Sequence, residues 1–212
     1  MKKIKRAVWG LLVVLAMTVH GTPLVSAATL DSPESIVMGF QNNLIEVMKV
    51  AETLSVSQRF DHLSLAVDRA FHLPLMVQIA VGSHWKTTDQ GARSKVLKAF
   101  RRMSISTLAT LFDGYGGETF EHQKNKSGPS NTILVMTDLV KSDNSRIQIA
   151  YVTRQFKSGW RIIDVVLDGG ISELKVRRSE YRQVLNNTGI SGLVDLLNDK
   201  ADELMSPQTA NK

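Results

Sequence analysis

The spacing of apolar residues changes character about halfway along the chain. Ile36, Phe40, Leu44, Val47, Met48 and Ala51 recur every three or four residues behind Ser32 and Pro33, which predicts a helix over 33–53 capped by Ser32. Phe60, Leu63, Ala66, Val67 and Ala70 repeat the pattern behind Ser57 until Pro74 interrupts it, and a short helix over 74–81 follows. Thr88 and Asp89 then open a long helix striped by Val96, Leu97, Phe100, Met103, Leu108, Leu111 and Phe112. Gly114, Gly116 and Gly117 end it.

Beyond Gly117 the period falls toward two. Segments 118–123, 131–140, 146–156 and 159–168 are β-rich, and the turn-forming runs at 124–129, 142–144 and 157–159 separate them. Connections this short imply antiparallel neighbours. In the third segment Ile147, Ile149 and Tyr151 alternate with Arg146, Gln148 and Arg154, so the sheet has a core face and a wetter face. Two more helices are predicted over 173–186 and 190–205, divided at Asn187-Thr188-Gly189. Helices, then strands, then helices indicate an α+β fold: N-terminal helices, a four-stranded antiparallel sheet and two C-terminal helices.

Composition matters mainly at the N-terminus. Lys2, Lys3, Lys5 and Arg6 precede an apolar stretch from Ala7 to Val19, and Val25-Ser26-Ala27 has the small residues of a cleavage site; residues 1–27 read as a secretory signal. The apolar run is about a dozen residues where a span needs roughly 20, which argues against a membrane anchor. A mature chain of 28–206, with a polar tail over 207–212, is long enough for one domain with a sizeable core. A soluble, exported protein is expected, working as a monomer in the periplasm.

Four of the positive charges behind the net charge of +6 sit in that leader, so the mature chain carries about +2. A nucleic-acid partner is therefore not expected. The absence of Cys excludes disulfides, thiolate metal sites and an acylated N-terminal cysteine.

Catalytic constellations are hard to find. His62, His72, His84 and His122 show no metal-binding spacing, and neither a metal nor another cofactor is expected. Gly114-Tyr115-Gly116-Gly117 lacks the pattern of a phosphate loop, and Gly189-Ile190-Ser191-Gly192 that of a nucleophile elbow; Ser191 reads as a cap. Asp164, between Ile163 and Val165 in an apolar strand, has two readings: a general base for a hydrolase, or a structural group bonded to backbone or paired with Arg161 or Arg178. The run of Arg177, Arg178, Glu180 and Arg182 is either a solvated face or a docking surface. The apolar stripes would look alike whether they fill a solid core or line a cavity.

One segment carries more specific information. Tyr151-Val152-Thr153-Arg154, Gly159-Trp160-Arg161-Ile162-Ile163-Asp164-Val165, Gly169-Gly170-Ile171-Ser172-Glu173-Leu174 and Arg177-Arg178-Ser179-Glu180, taken in order, resemble the MlaC family of periplasmic lipid-binding proteins, also called the toluene-tolerance family. Phe71-His72-Leu73-Pro74-Leu75-Met76, Val81-Gly82-Ser83-His84-Trp85 and Phe112 to Phe120 extend the likeness upstream, and it is nearest to the hopanoid-associated HpnM branch. The chain departs from the family at Leu108, usually aromatic there, and at Val77, often alanine.

The resemblance implies helices and an antiparallel sheet enclosing an apolar cavity for lipid tails, and no enzymatic activity. It implies a shuttle for phospholipid or hopanoid between an inner-membrane ABC transporter with its MCE-domain subunit and an outer-membrane complex. The expected lining is Phe40, Leu44, Met48, Phe100, Met103, Leu134, Met136, Ile149, Tyr151, Ile163 and Val165, with Arg177, Arg178 and Arg182 as the docking face. The competing expectation is a cystatin-like or NTF-like adaptor with a solid core and no ligand.

Overall fold

A computed structural model describes residues 32–167 and 170–206, so the expected leader and polar tail lie outside the described residues. Helix α1 covers Pro33–Val50 and runs into a 3-10 turn at Ala51–Thr53. Its start is fixed by Ser32, whose Oγ accepts from the Ser35 N–H while the Ser35 Oγ accepts from the Ser32 N–H.

Helix α2 covers Val56–Ala70, and its cap is Ser55, not the expected Ser57. Ser55 and Gln58 satisfy each other's backbone N–H groups, a reciprocal arrangement that Ser57 lacks the spacing to make. Helix α3 covers Leu73–Val81, α4 is a single turn at His84–Thr87, and α5 covers Gln90–Leu111 behind an Asp89 cap.

Five strands follow, one more than the sequence pattern indicates: β1 Thr119–Gly128, β2 Thr132–Val140, β3 Arg146–Phe156, β4 Gly159–Leu167 and β5 Ile171–Ser172. They pair antiparallel in chain order. The fifth is two residues long, too short to show a period.

Strand β1 also continues through Lys124, Asn125 and Lys126, which the turn-forming composition marks as a connection. These residues pair along an edge where little of the side chain is buried, so the strand carries almost no hydrophobic signal. The reversal falls instead at Pro129–Thr132, where Ser130 and Asn131 take φ of 55° and 57°, the backbone of a tight hairpin turn.

The two expected C-terminal helices form one element, α6, over Glu173–Met205. The break is a kink at Gly189, whose φ of 65° and ψ of −158° no helical residue shares. Helices pack on one face of the sheet, and α5 against α6 is the main contact within the helical layer. A continuous apolar core runs from Val37, Phe40 and Leu44 of α1 through Val77, Val96 and Ile105 to Val135, Ile149 and Ile162 of the sheet and Leu193 of α6.

Candidate functional site

The lining residues expected from the sequence point to the seam between the helical layer and the sheet. From the helix side, Phe40 anchors it: its ring meets Phe71 edge-on at 4.8 Å and Tyr151 of β3 at 6.4 Å. Leu44, Phe100, Met103, Ile149 and Tyr151 are all buried members of the same cluster, with Val165 packed on its edge.

Other expected lining residues stand elsewhere. Met48 and Ile163 are buried but lie outside that cluster. On β2 the side chains facing the helices are Val135 and Thr137, so the alternating Leu134 and Met136 project from the opposite face, level with Val152 and Ala150 of β3.

Few polar bonds cross the seam. The Gln41 amide of α1, fully buried, donates to the Thr137 hydroxyl at 3.0 Å, and Thr137 in turn donates to the Ile149 carbonyl at 3.2 Å. The His72 N–H donates to the Ile162 carbonyl at 2.8 Å, and the His72 ring stacks on Phe156 at 4.0 Å while accepting from the Leu75 N–H. Thus His72 is a cap and a splice between α3 and the sheet. At the edge Asn125 of β1 bonds Glu34 of α1.

Asp164 accepts from the Ser172 hydroxyl at 2.6 Å, the Val165 N–H at 2.8 Å and the Leu174 N–H at 3.1 Å. Its carboxylate is thus spent on fastening the start of α6 to β4, and of its two readings the backbone-bonded one describes the structure. Neither Arg161 nor Arg178 pairs with it among the described residues. No group of metal-ligating side chains occurs among them either.

Burial pushes the hydroxyls of Tyr151 and Tyr181 up to about 12; a hydrogen bond with Gln41 opposes the shift at Tyr151, and the charge of Arg177 opposes it at Tyr181. Both folded values exceed the unfolded one near 10, so the stability this neutral state carries is complete below pH 10 and drains away as pH rises through about 12. Each tyrosine should contribute on the order of 2–3 kcal/mol to that alkaline loss. Urea titrations between pH 9 and 12 should show a steeper decline in the wild type than in a Tyr151→Phe/Tyr181→Phe double variant; equal slopes would refute it.

Three hollows stand out, all at the periphery. One of about 430 Å³ lies among Arg59, Thr110 and Met205, one of about 320 Å³ between the end of α3 and α6, and one of about 840 Å³ beside the β1–β2 and β3–β4 turns. At the seam itself Phe40, Leu44, Val135 and Ile162 are each at most 4% exposed.

Of the expected docking residues, Arg177 pairs with Glu180 at 3.4 Å, whereas Arg178 and Arg182 line the 320 Å³ hollow together with His84. Composition alone does not separate them; the i, i+4 spacing of Arg178 and Arg182 is the available signal. The surface charges with firm partners are elsewhere: Arg101 with Asp68, Arg102 with Asp202, and Arg146 with Glu121 and Asp138.

An antiparallel sheet covered on one face by helices, with an almost wholly apolar seam between them, defines an α+β domain. The chain belongs to the MlaC protein family, which matches residues 39–199. A curated relative, the intermembrane phospholipid transport system binding protein MlaC of Haemophilus influenzae, is 24% identical over 127 residues, 58% of this chain. The match spans 59% of that relative's length. The fold is shared with a phospholipid-binding protein of Ralstonia solanacearum solved in complex with a phospholipid, at a TM-score of 0.72 and 15% identity, over 81% of this chain and 98% of that one.

Proposed function

We propose that this protein is a periplasmic lipid carrier, made as a precursor with a cleaved leader and folded as one domain over 28–206. The observation that carries the reading is the seam: an apolar interface from α1 to the sheet, interrupted by the Gln41–Thr137 pair and pinned at its ends by His72 and Asp164. Family membership and the phospholipid named for both relatives support the same cargo class.

Energetics requires that cargo be enclosed. At about 0.8 kcal/mol per methylene, exposing two chains of roughly 15 methylenes costs on the order of 20 kcal/mol, which no shallow groove offsets. Parting the seam exposes side chains such as Phe40, Leu44 and Val135, and the incoming tails cover them again; apolar surface is exchanged rather than lost. The chemistry is passive: binding, hiding and releasing, with no bond made or broken. An inner-membrane ABC transporter with its MCE-domain subunit and an outer-membrane complex would supply the direction, and the HpnM likeness makes a hopanoid the alternative cargo to phospholipid.

Transfer of a fluorescent phospholipid from donor to acceptor vesicles should speed up in proportion to protein concentration. Transfer no faster than the spontaneous rate, for both phospholipid and hopanoid, would refute the carrier reading.

A further inference from the structure

We infer that the hollow between the end of α3 and α6 is the seat of a lipid phosphate, held by Arg178 and Arg182, with the Tyr181 hydroxyl donating to the ester carbonyl beneath it. The inference rests on the carrier reading and adds to it a place and a chemistry for the head group.

The hollow, of about 320 Å³, presents Arg178, Arg182, His84 and Asn186 at its walls and no carboxylate. Among the described residues neither guanidinium has an ion pair, although Arg101, Arg102, Arg146 and Arg177 each face one. Two cations one helical turn apart repel each other, a cost that a shared anion reverses. A phosphodiester suits them because its oxygens match the planar donor fork of arginine.

Arg178 is also built into place. Gly82 closes α3 with a φ of 65°, and a Cβ there would lie 3.1 Å from both Nε and Nη2 of Arg178. The bare glycine therefore serves the turn and lets the guanidinium lie across the backbone.

Below the charged rim the hollow becomes apolar. Ala80, Val81 and Leu185 line it and at the same time belong to the continuous core, so a tail descending from the rim meets the interior directly. Residues 178, 181, 182 and 185 fall at i, i+3, i+4 and i+7, one face of α6. Tyr181, on that helix face but not at the wall of the hollow, is 1% exposed, and its hydroxyl has no hydrogen-bond partner among the described residues. Such a donor is rare in a folded interior and is satisfied by an acceptor that arrives with the ligand. An acyl ester carbonyl is one.

The test measures binding of dihexanoyl phosphatidylglycerol below its micelle concentration, of dihexanoylglycerol and of inorganic phosphate to wild type, Arg178→Ala/Arg182→Ala and Tyr181→Phe. The double variant should bind the phospholipid about tenfold or more weakly and dihexanoylglycerol unchanged. Tyr181→Phe should weaken both diacyl ligands severalfold while melting no lower than wild type, a combination that a purely structural tyrosine would not give.

Equal phospholipid affinity in the double variant overturns the assignment, and so does an equal loss for dihexanoylglycerol. Inorganic phosphate binding as tightly as the lipid would make this a free-anion site, and loss of an acidic protein partner with lipid binding intact would make it a docking face; either result overturns it. Wild-type protein that takes up neither diacyl ligand overturns the carrier reading as well, which separates the two failures.

Discussion

Replacing Phe40 with alanine is expected to destabilise the fold by about 3–5 kcal/mol, the range for emptying a buried aromatic site. Phe40 is 4% exposed and holds α1 to two other elements at once through its contacts with Phe71 and Tyr151. The void cannot easily collapse, because the neighbouring rings belong to α2's end and to the sheet. Urea unfolding should show the midpoint falling with little change in slope.

In a carrier the same void lies on the path of the tails, so long-chain phospholipid should restore part of the loss. At 100 times Kd the recovery is about 2.7 kcal/mol by mass action. A loss below about 1 kcal/mol would contradict the packing described, and a full loss with no recovery in lipid would remove Phe40 from the ligand path.

Asp164→Ala should cost about 3 kcal/mol, because three donors lose a charged acceptor together. The Ser172 hydroxyl, which caps α6 through the Lys175 N–H, also loses the group that orients it, so fraying should begin at the N-terminus of α6. Hydrogen exchange should quicken at Leu174 and Lys175 well before it does in α5. Asp164→Asn should fall between the two, since its carbonyl still accepts while its NH2 turns a donor toward a donor. An Asp164→Ala variant of wild-type stability would show that the three bonds carry nothing.

What the sequence revealed of this architecture follows its physics. The helices of the first half were readable because each buries one stripe, and Ser32, Asp89 and Pro74 punctuate them with side-chain chemistry that acts within a single turn. Strands β2, β3 and β4 were readable as runs of β-branched and other apolar residues bounded by turns, and at the start of β3 Ile147 and Ile149 alternate with the exposed Arg146 and Gln148. The second half of β1 was invisible because an edge strand of Lys124, Asn125 and Lys126 is held by backbone pairing to β2, a partner that local composition does not encode. β5 was invisible because two residues have no period.

The site divides along similar lines. Phe40, Leu44 and Tyr151 were legible as buried residues because burial leaves a pattern, yet Leu134 and Met136 share the same hydrophobicity and point from the other face of β2. Only the register settles that. Gln41 was missed, since one polar residue in an apolar stripe becomes legible only when its partner Thr137, 96 positions away, is known. The hollow at Arg178 and Arg182 depends on Gly82, almost a hundred residues upstream, and on the orphan hydroxyl of Tyr181.

Native mass spectrometry of protein gently purified from the periplasm of its host tests the carrier reading most directly. Each molecule should carry one diacyl lipid or hopanoid, released on acid denaturation in near-stoichiometric amount. A single lipid-free species that stays lipid-free after incubation with phospholipid and hopanoid vesicles would mean that the seam never opens, and that the apolar interior is a solid core and nothing more.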